Sequence, residues 1–412
     1  MSAAPSSAVA SLLTAAAVRE RAHEVLEAGL AGGLEHWRID LRRLEAAADF
    51  TVQVVRDRYP DLAVPFHARW RHFVLDGRDL WGERAARAPW RDPAAQARAA
   101  FDLAITSVLL DAGAGGAWRY ADAATGLTAA RSEGLAIASL RLFEAGLLSA
   151  DAADPLRADA SALEALEAAT LARAFQAGEA NPLVGLEGRA ALLRRLGARA
   201  AQRPDLFGLA DIPRPGGLFD LLAARAEDRR LPAPRILEAL LEALGPIWPD
   251  RLSLGGVPLG DCWRHPAVRR GDATDGLMPL HKLSQWLAYS LIEPLQAAGI
   301  EVTEIDGLTG LAEYRNGGLF LDRGVIVLAN PEDAAIPQAV DGTLVVGWRA
   351  LTVALLDRIA PLVRARLGVP AAAFPLACVL EGGAWAAGRL AARQARADGG
   401  PPLTVISDGT VF

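Results

Sequence analysis

Residues 93–113 read PAAQARAAFDLAITSVLLDAG, and the fold class turns on this stretch. Its apolar residues recur at three- and four-residue spacing, the period of a helix buried on one face. Alanine, leucine and arginine dominate it, and they are strong helix formers. The same pattern extends outward in both directions. Upstream lie SLLTAAAVRERAHEVLEAG and LEHWRIDLRRLEAAADFTVQVVRDRYP, with Gly and Pro as stops. Downstream come SEGLAIASLRLFEAGLLS, ADASALEALEAATLARAFQAG and GLEGRAALLRRLGARAAQRP. A Pro/Gly-rich joint, RPDLFGLADIPRPGGLFDLLAARAED, precedes one more helical run, APRILEALLEALGPIW. The chain is expected to be mainly α and multi-helical.

The character changes near residue 250. Residues 300–330, IEVTEIDGLTGLAEYRNGGLFLDRGVIVLAN, carry β-branched residues and an Asn-Gly pair at 316–317 that reads as a hairpin turn. GTLVVGW and the terminal LTVISDGTVF add strand candidates, the last with an Asp-Gly hairpin signal. Helices are expected over RALTVALLDRIAPLVRARLG and GAWAAGRLAARQARADG between them. The expected division is a helical unit over 1–245 and an α+β unit over 246–412, with a small sheet confined to the C-terminal third.

At 412 residues the chain is long for a single core, and 52% hydrophobic with 22% charged residues describes an ordinary globular protein. A net charge of -6 argues against a general binder of nucleic acid. Cys262 and Cys378 have no metal-ligand spacing and imply no disulfide framework, so reduced thiols in the cytoplasm are expected. The N-terminus lacks the basic start of a signal peptide, and no run reaches 18 apolar residues. No two of the six histidines form an HExxH-like pair. Neither a metal nor a cofactor is expected, and no Walker or dinucleotide-binding glycine pattern occurs.

One residue stands apart. Lys282 is the only lysine, although Lys and Arg together number 43. An exposed lysine exchanges for arginine at little cost, because surface ion pairs are worth roughly 0–1 kcal/mol. A lone lysine amid arginines therefore suggests a confined position where the broader guanidinium does not fit; survival by chance is the bland alternative. Placing 279–293 on a helix with Pro279 in its first turn puts Lys282, Trp286, Tyr289 and Glu293 on one face, with His281 and Gln285 alongside. Asp275 would then face the helix N-terminus from the preceding loop, either as a cap or as a reacting carboxylate.

Four further clusters could carry chemistry. HARWRH offers His67, Arg69, Arg71 and His72, or simply a charged surface. LLDAGAGGAWRY runs from Asp111 through glycines to Trp118, Arg119 and Tyr120, with Arg131 and Glu133 in the neighbouring RSEG. GLTGLAEYRNGGLFLD presents Glu313, Tyr314 and Arg315, and CVLEGGAWAAGR presents Glu381 before two glycines. Aromatics, arginines and carboxylates gathered in loops of a helical frame suggest a small polar ligand, ribose- or phosphate-bearing.

On the last three of these blocks, together with NPLVGLEGRAALL and DGLMPLHKLSQWLAYSLIEPL, residues 45–412 resemble the fungal and bacterial uracil-catabolism protein family. That resemblance implies a pathway through a ribosylated intermediate, ribosylurea, with urea as an end product. It also implies a companion protein resembling GTP cyclohydrolase II. DGLMPLHKL followed by EVTEIDGL and EYRNGG is also similar to queuosine-salvage N-glycosylases, which implies a DNA-glycosylase-like helical frame. Under that likeness Asp275 takes the place of the catalytic aspartate.

The expectation is therefore an N-glycosidic hydrolase of ribosylurea or its 5′-phosphate, with Asp275, His281 and Lys282 catalytic. Gln285, Trp286, Glu313, Tyr314, Arg315, Asp111, Trp118, Arg119 and Glu381 would bind substrate. If both halves of the chain share one site, Asp111, Trp118 and Arg119 must meet Asp275, Lys282 and Arg315. The alternatives are a ureide amidohydrolase with Glu381 or Glu313 as base, or a non-catalytic partner of the cyclohydrolase-like protein.

Overall fold

A computed structural model describes residues 7–111, 113–208, 212–249 and 251–406. Helices make most of its regular structure. The longest, Thr343–Leu367, is buried along most of its length and ends where Gly368 adopts a left-handed conformation (φ 72). It packs against Ala15–Leu30 and Leu44–Arg58 from the N-terminal end and against Tyr314–Asp322. A second focus is Pro93–Leu109, capped by Asp92 and buried over its last turns. It packs on Lys282–Ala297 and on Arg131–Glu144. One continuous apolar core runs from Ala15 to Leu403, and helix contacts cross residue 245 repeatedly.

Strands occur among the described residues as seven two-stranded pairs scattered along the chain, which corrects the expected single sheet in the C-terminal third. Trp37–Ile39 pairs antiparallel with Ile326–Leu328, joining the two ends of the sequence. Arg119–Asp122 and Leu127–Ala130 form a hairpin that leads straight into the helix starting at Arg131. Cys262–Arg264 pairs with Leu277–Pro279. The Asp-Gly signal at 408–409 lies outside the described residues, but Val405–Ile406 just before it pairs in parallel with Gln338–Ala339.

Four local expectations fail for identifiable reasons. WRI at 37–39, read as helix, is a strand because it finds the Ile326–Leu328 partner. GTLVVGW, read as strand, is the start of the Thr343–Leu367 helix; full burial outweighs the mild helix penalty of its β-branched residues. Pro279 ends a strand and does not open a helix, so the following helix begins at Lys282. Asn316-Gly317 is no hairpin turn but lies inside the Tyr314–Asp322 helix. A Cβ on Gly317 would sit 2.7 Å from both Trp348 Nε1 and Thr352 Oγ1, so this glycine permits close helix packing. Across the same helix, Gly388 has no room for a Cβ against the backbone carbonyl of Arg315. No helix of the described residues is long and apolar enough to cross a membrane.

Candidate active site

The Lys282–Ala297 helix is started by Asp261. Its carboxylate accepts the Lys282 N–H at 2.8 Å and is clamped by Arg349 through contacts of 2.8 and 2.7 Å. Burial opposes its charge, yet the Arg349 pair and the helix N–H hold it at about 2. Asp261 thus fills the capping role considered for Asp275. With the cap on one side, the first turns carry Lys282 and Trp286 to the wall of a cavity of ≈ 310 Å³. Its size falls within the roughly 300–1,000 Å³ of small-molecule sites.

Three helix starts meet at this cavity. Arg131, Ser132 and Glu133 open the Arg131–Glu144 helix, Lys282 opens the second, and Glu313, Tyr314 and Arg315 open the third. Glu313 caps its own helix: its carboxylate accepts the N–H groups of Arg315 at 2.8 Å and Asn316 at 2.6 Å. The Arg131–Glu144 helix has Ala130 at its cap position and no side-chain cap.

Asp111 enters from the end of Pro93–Leu109. Its two oxygens accept from Arg69 Nη1 at 2.6 Å and from Ser132 Oγ at 2.9 Å. Arg69 is fully buried, and its Nη2 has no partner among the described residues. The HARWRH segment is therefore no surface patch: His67 and His72 both line the cavity. His67 Nδ1 lies 2.7 Å from a Glu381 oxygen, and its ring packs against Trp286 and Trp385 at 6.2 and 5.7 Å. Glu381 sits in a π-helical turn, Val379–Ala384, a distortion frequent at functional sites. Burial pushes its carboxyl up, but the hydrogen bond and charge of His67, with Arg58 beyond, hold it at about 2.

His72 is pushed down to about 4, first by burial and then by the Arg69 charge. Its Nδ1 is 3.4 Å from Arg69 Nη1. A guanidinium only donates, so Nδ1 accepts and the neutral ring carries its proton on Nε2. Lys282 Nζ stands 5.8 Å over the Trp286 ring and makes no ion pair among the described residues. Burial lowers its pKa, against the opposing pull of Glu313 and then Asp111. Trp286 Nε1 is buried without an acceptor among the described residues. No group of three or more His, Cys, Asp or Glu side chains is placed to hold a metal ion among the described residues.

Over residues 11–412 the chain matches the family described as "Protein of unknown function (DUF1688)". It belongs to that family. The protein "Protein urg3" of Schizosaccharomyces pombe (strain 972 / ATCC 24843) is 37% identical over 415 residues, spanning 98% of this chain and 99% of the relative. "Uracil catabolism protein 4" of Lachancea kluyveri is 36% identical over 412 residues, with 92% of each chain covered. These relatives bear out the resemblance read from the sequence.

Of the residues assigned to the site from sequence, Asp111, Lys282, Trp286, Glu313, Tyr314 and Arg315 come together at this one cavity, and Glu381 stands behind it through His67. The others lie elsewhere. Asp275 is exposed in the turn before Leu277–Pro279, its carboxylate accepting the Arg270 N–H at 2.7 Å. His281 is buried in a left-handed conformation (φ 47) with Nε2 3.0 Å from the Leu12 carbonyl, away from the cavity lining. Gln285 is core and accepts the Thr309 N–H at 3.3 Å. Trp118 stacks on Phe175 and donates to its carbonyl, and Arg119 is exposed and donates to the Gly116 and Trp118 carbonyls. His67, His72, Glu133, Trp385 and Arg389 were not assigned to the site from sequence. The visible signal was two histidines in HARWRH; what no spacing conveys is that Glu381, 314 positions later, meets His67.

Proposed function

We propose that this chain acts in uracil catabolism, as the name of one relative states for that protein, by hydrolysing the N-glycosidic bond of a ribosylated urea. The observation that carries this reading is the buried His67–Glu381 pair facing a cavity that also holds the Glu313 carboxylate. Breaking the C1′–N bond develops cationic character on the sugar and negative charge on the departing nitrogen. Glu313, whose charge is offset by helix N–H groups and by no ion pair among the described residues, stabilises the sugar cation and orients the water. That is the role the sequence suggested for Asp275. With Nδ1 tied to Glu381, His67 Nε2 is left to hand a proton to the leaving nitrogen. The C1′–N bond breaks as the water oxygen bonds to C1′; the water's proton passes through the Glu313 carboxylate to solvent, from which His67 is reprotonated, and the products are urea and the sugar. Trp286 Nε1–H, which has no acceptor among the described residues, suits the urea carbonyl.

The same pair favours one other reaction. A histidine held by a buried carboxylate is also equipped to activate water against a ureide carbonyl. Incubating the pure protein with synthetic ribosylurea, with and without a 5′-phosphate, separates the cases. Intact urea with free sugar or sugar phosphate is expected. Release of ammonia without urea would replace glycosidic cleavage by amide hydrolysis. A protein that only hands intermediates to a cyclohydrolase-like partner would turn over neither compound.

A further inference from the structure

A glycine-rich loop follows Asp111. Gly113, Ala114, Gly115 and Gly116 all line the cavity. Three of their four carbonyls are turned to the protein: Gly113 O accepts from Arg189 Nη2 at 2.9 Å, Ala114 O from the Val184 N–H at 3.3 Å, and Gly116 O from Arg119 Nη1 at 2.8 Å. Buried Arg189 also donates to the Leu110 carbonyl, so the loop is fixed from behind. The N–H groups of residues 113–116 have no acceptor among the described residues. Neither Gly113 nor Gly116 has a positive φ, and a Cβ on either would meet nothing within 4 Å. Backbone conformation and packing therefore leave these two glycines unexplained. A ligand that must approach the backbone closely explains them.

Ser132, at the start of the uncapped Arg131–Glu144 helix, is hydrogen-bonded to Asp111 and so ties that helix start to the loop. The cavity carboxylates are already engaged: Asp111 by Arg69, Glu133 by Arg389 at 2.9 Å, Glu313 by helix N–H groups. Lys282 and Arg131 make no ion pair among the described residues. Loop N–H groups, a helix start without a side-chain N-cap, and two cations without an ion pair among the described residues line one cavity, a set that fits a dianionic group. We infer that this loop, the helix start and Lys282 form a phosphate cradle, so that the ligand is a ribosyl 5′-phosphate and not the free nucleoside-like compound. The inference deepens the proposed function and rests on it for the identity of the sugar.

Titration calorimetry with ribose 5-phosphate and with ribose, alongside turnover of the two ribosylureas, tests it. Binding of ribose 5-phosphate is expected with ribose at least about 100-fold weaker, and a similar preference in kcat/KM is expected for the phosphorylated ribosylurea. Gly116→Ala, which has space for its methyl group, should keep the wild-type melting temperature and lose ribose 5-phosphate binding about 10-fold or more. Lys282→Met should do the same. Equal binding and equal turnover of phosphorylated and free compounds would overturn the cradle while leaving the glycosidase reading intact. Tight ribose 5-phosphate binding that Gly116→Ala weakens, without turnover of either ribosylurea, would uphold the cradle and sink the reaction. Inorganic phosphate competing at this site with unchanged affinity in both variants would also overturn the inference.

Discussion

Lys282 shows what a single side chain can carry. In a protein whose other 42 cationic side chains are arginine, it occupies a cavity wall against Trp286, near Glu313 and Asp111. A compact ammonium fits there, and a planar fork with five donors would have to displace Trp286 or the loop. Lys282→Arg should therefore leave thermal stability within a few degrees of wild type and raise KM for the phosphorylated substrate by about 10- to 100-fold. Wild-type kinetics in that variant would return the lysine to chance. Glu381 makes a different prediction, because it acts through His67 and not on substrate. Glu381→Gln should cut kcat by roughly 100-fold or more with KM little changed, since the amide cannot hold His67 in the same tautomer and charge state. It should also shift the pH–rate profile, which a merely structural role would leave in place.

At the scale of elements, the long helices were legible in the sequence because their period survives in the structure. Ala15–Leu30, Pro93–Leu109 and Arg131–Glu144 each show it. A third of the cavity lining was legible too, because Lys282, Trp286, Glu313, Tyr314, Arg315 and Asp111 are unusual chemistry at helix ends. The rest depends on contacts between segments far apart in sequence. Asp275 and Asp261 are both carboxylates shortly before the same helix, and only the pairing of Cys262–Arg264 with Leu277–Pro279 decides which one meets the Lys282 N–H. Likewise, Asn316-Gly317 reads as a turn until Glu313 caps the helix around it and Trp348 claims the missing side-chain space. That account is testable. Gly317→Ala and Gly388→Ala should each destabilise the fold by about 1–3 kcal/mol through overpacking, although alanine has the better helix propensity. A rise in the melting temperature of either variant would mean the helices are not packed through these glycines.

Over the whole molecule, buried histidines set how the fold answers to acid. His72 and His265 are each held at about 4, His72 by burial and then Arg69, His265 by burial and then His36. His281 is shifted in the same direction by burial, against the Leu12 carbonyl. An unfolded histidine takes its proton near 6.5. As pH falls below that value the unfolded chain binds protons that the folded chain refuses, so stability drains away from pH 6.5 down to about 4. At pH 5 His72 and His265 should each have cost about 2 kcal/mol. Glu381 works in a lower window: its carboxylate is held at about 2, so its contribution is intact above roughly 4.5 and is lost only as pH falls from there towards 2. Unfolding in urea should thus show a marked loss of stability between pH 7 and pH 5. His265→Asn, which lies outside the cavity lining, should flatten part of that slope and leave turnover at pH 7 close to wild type. A flat stability profile from pH 7 to 5 would mean that these rings reach water or change partners before they must charge.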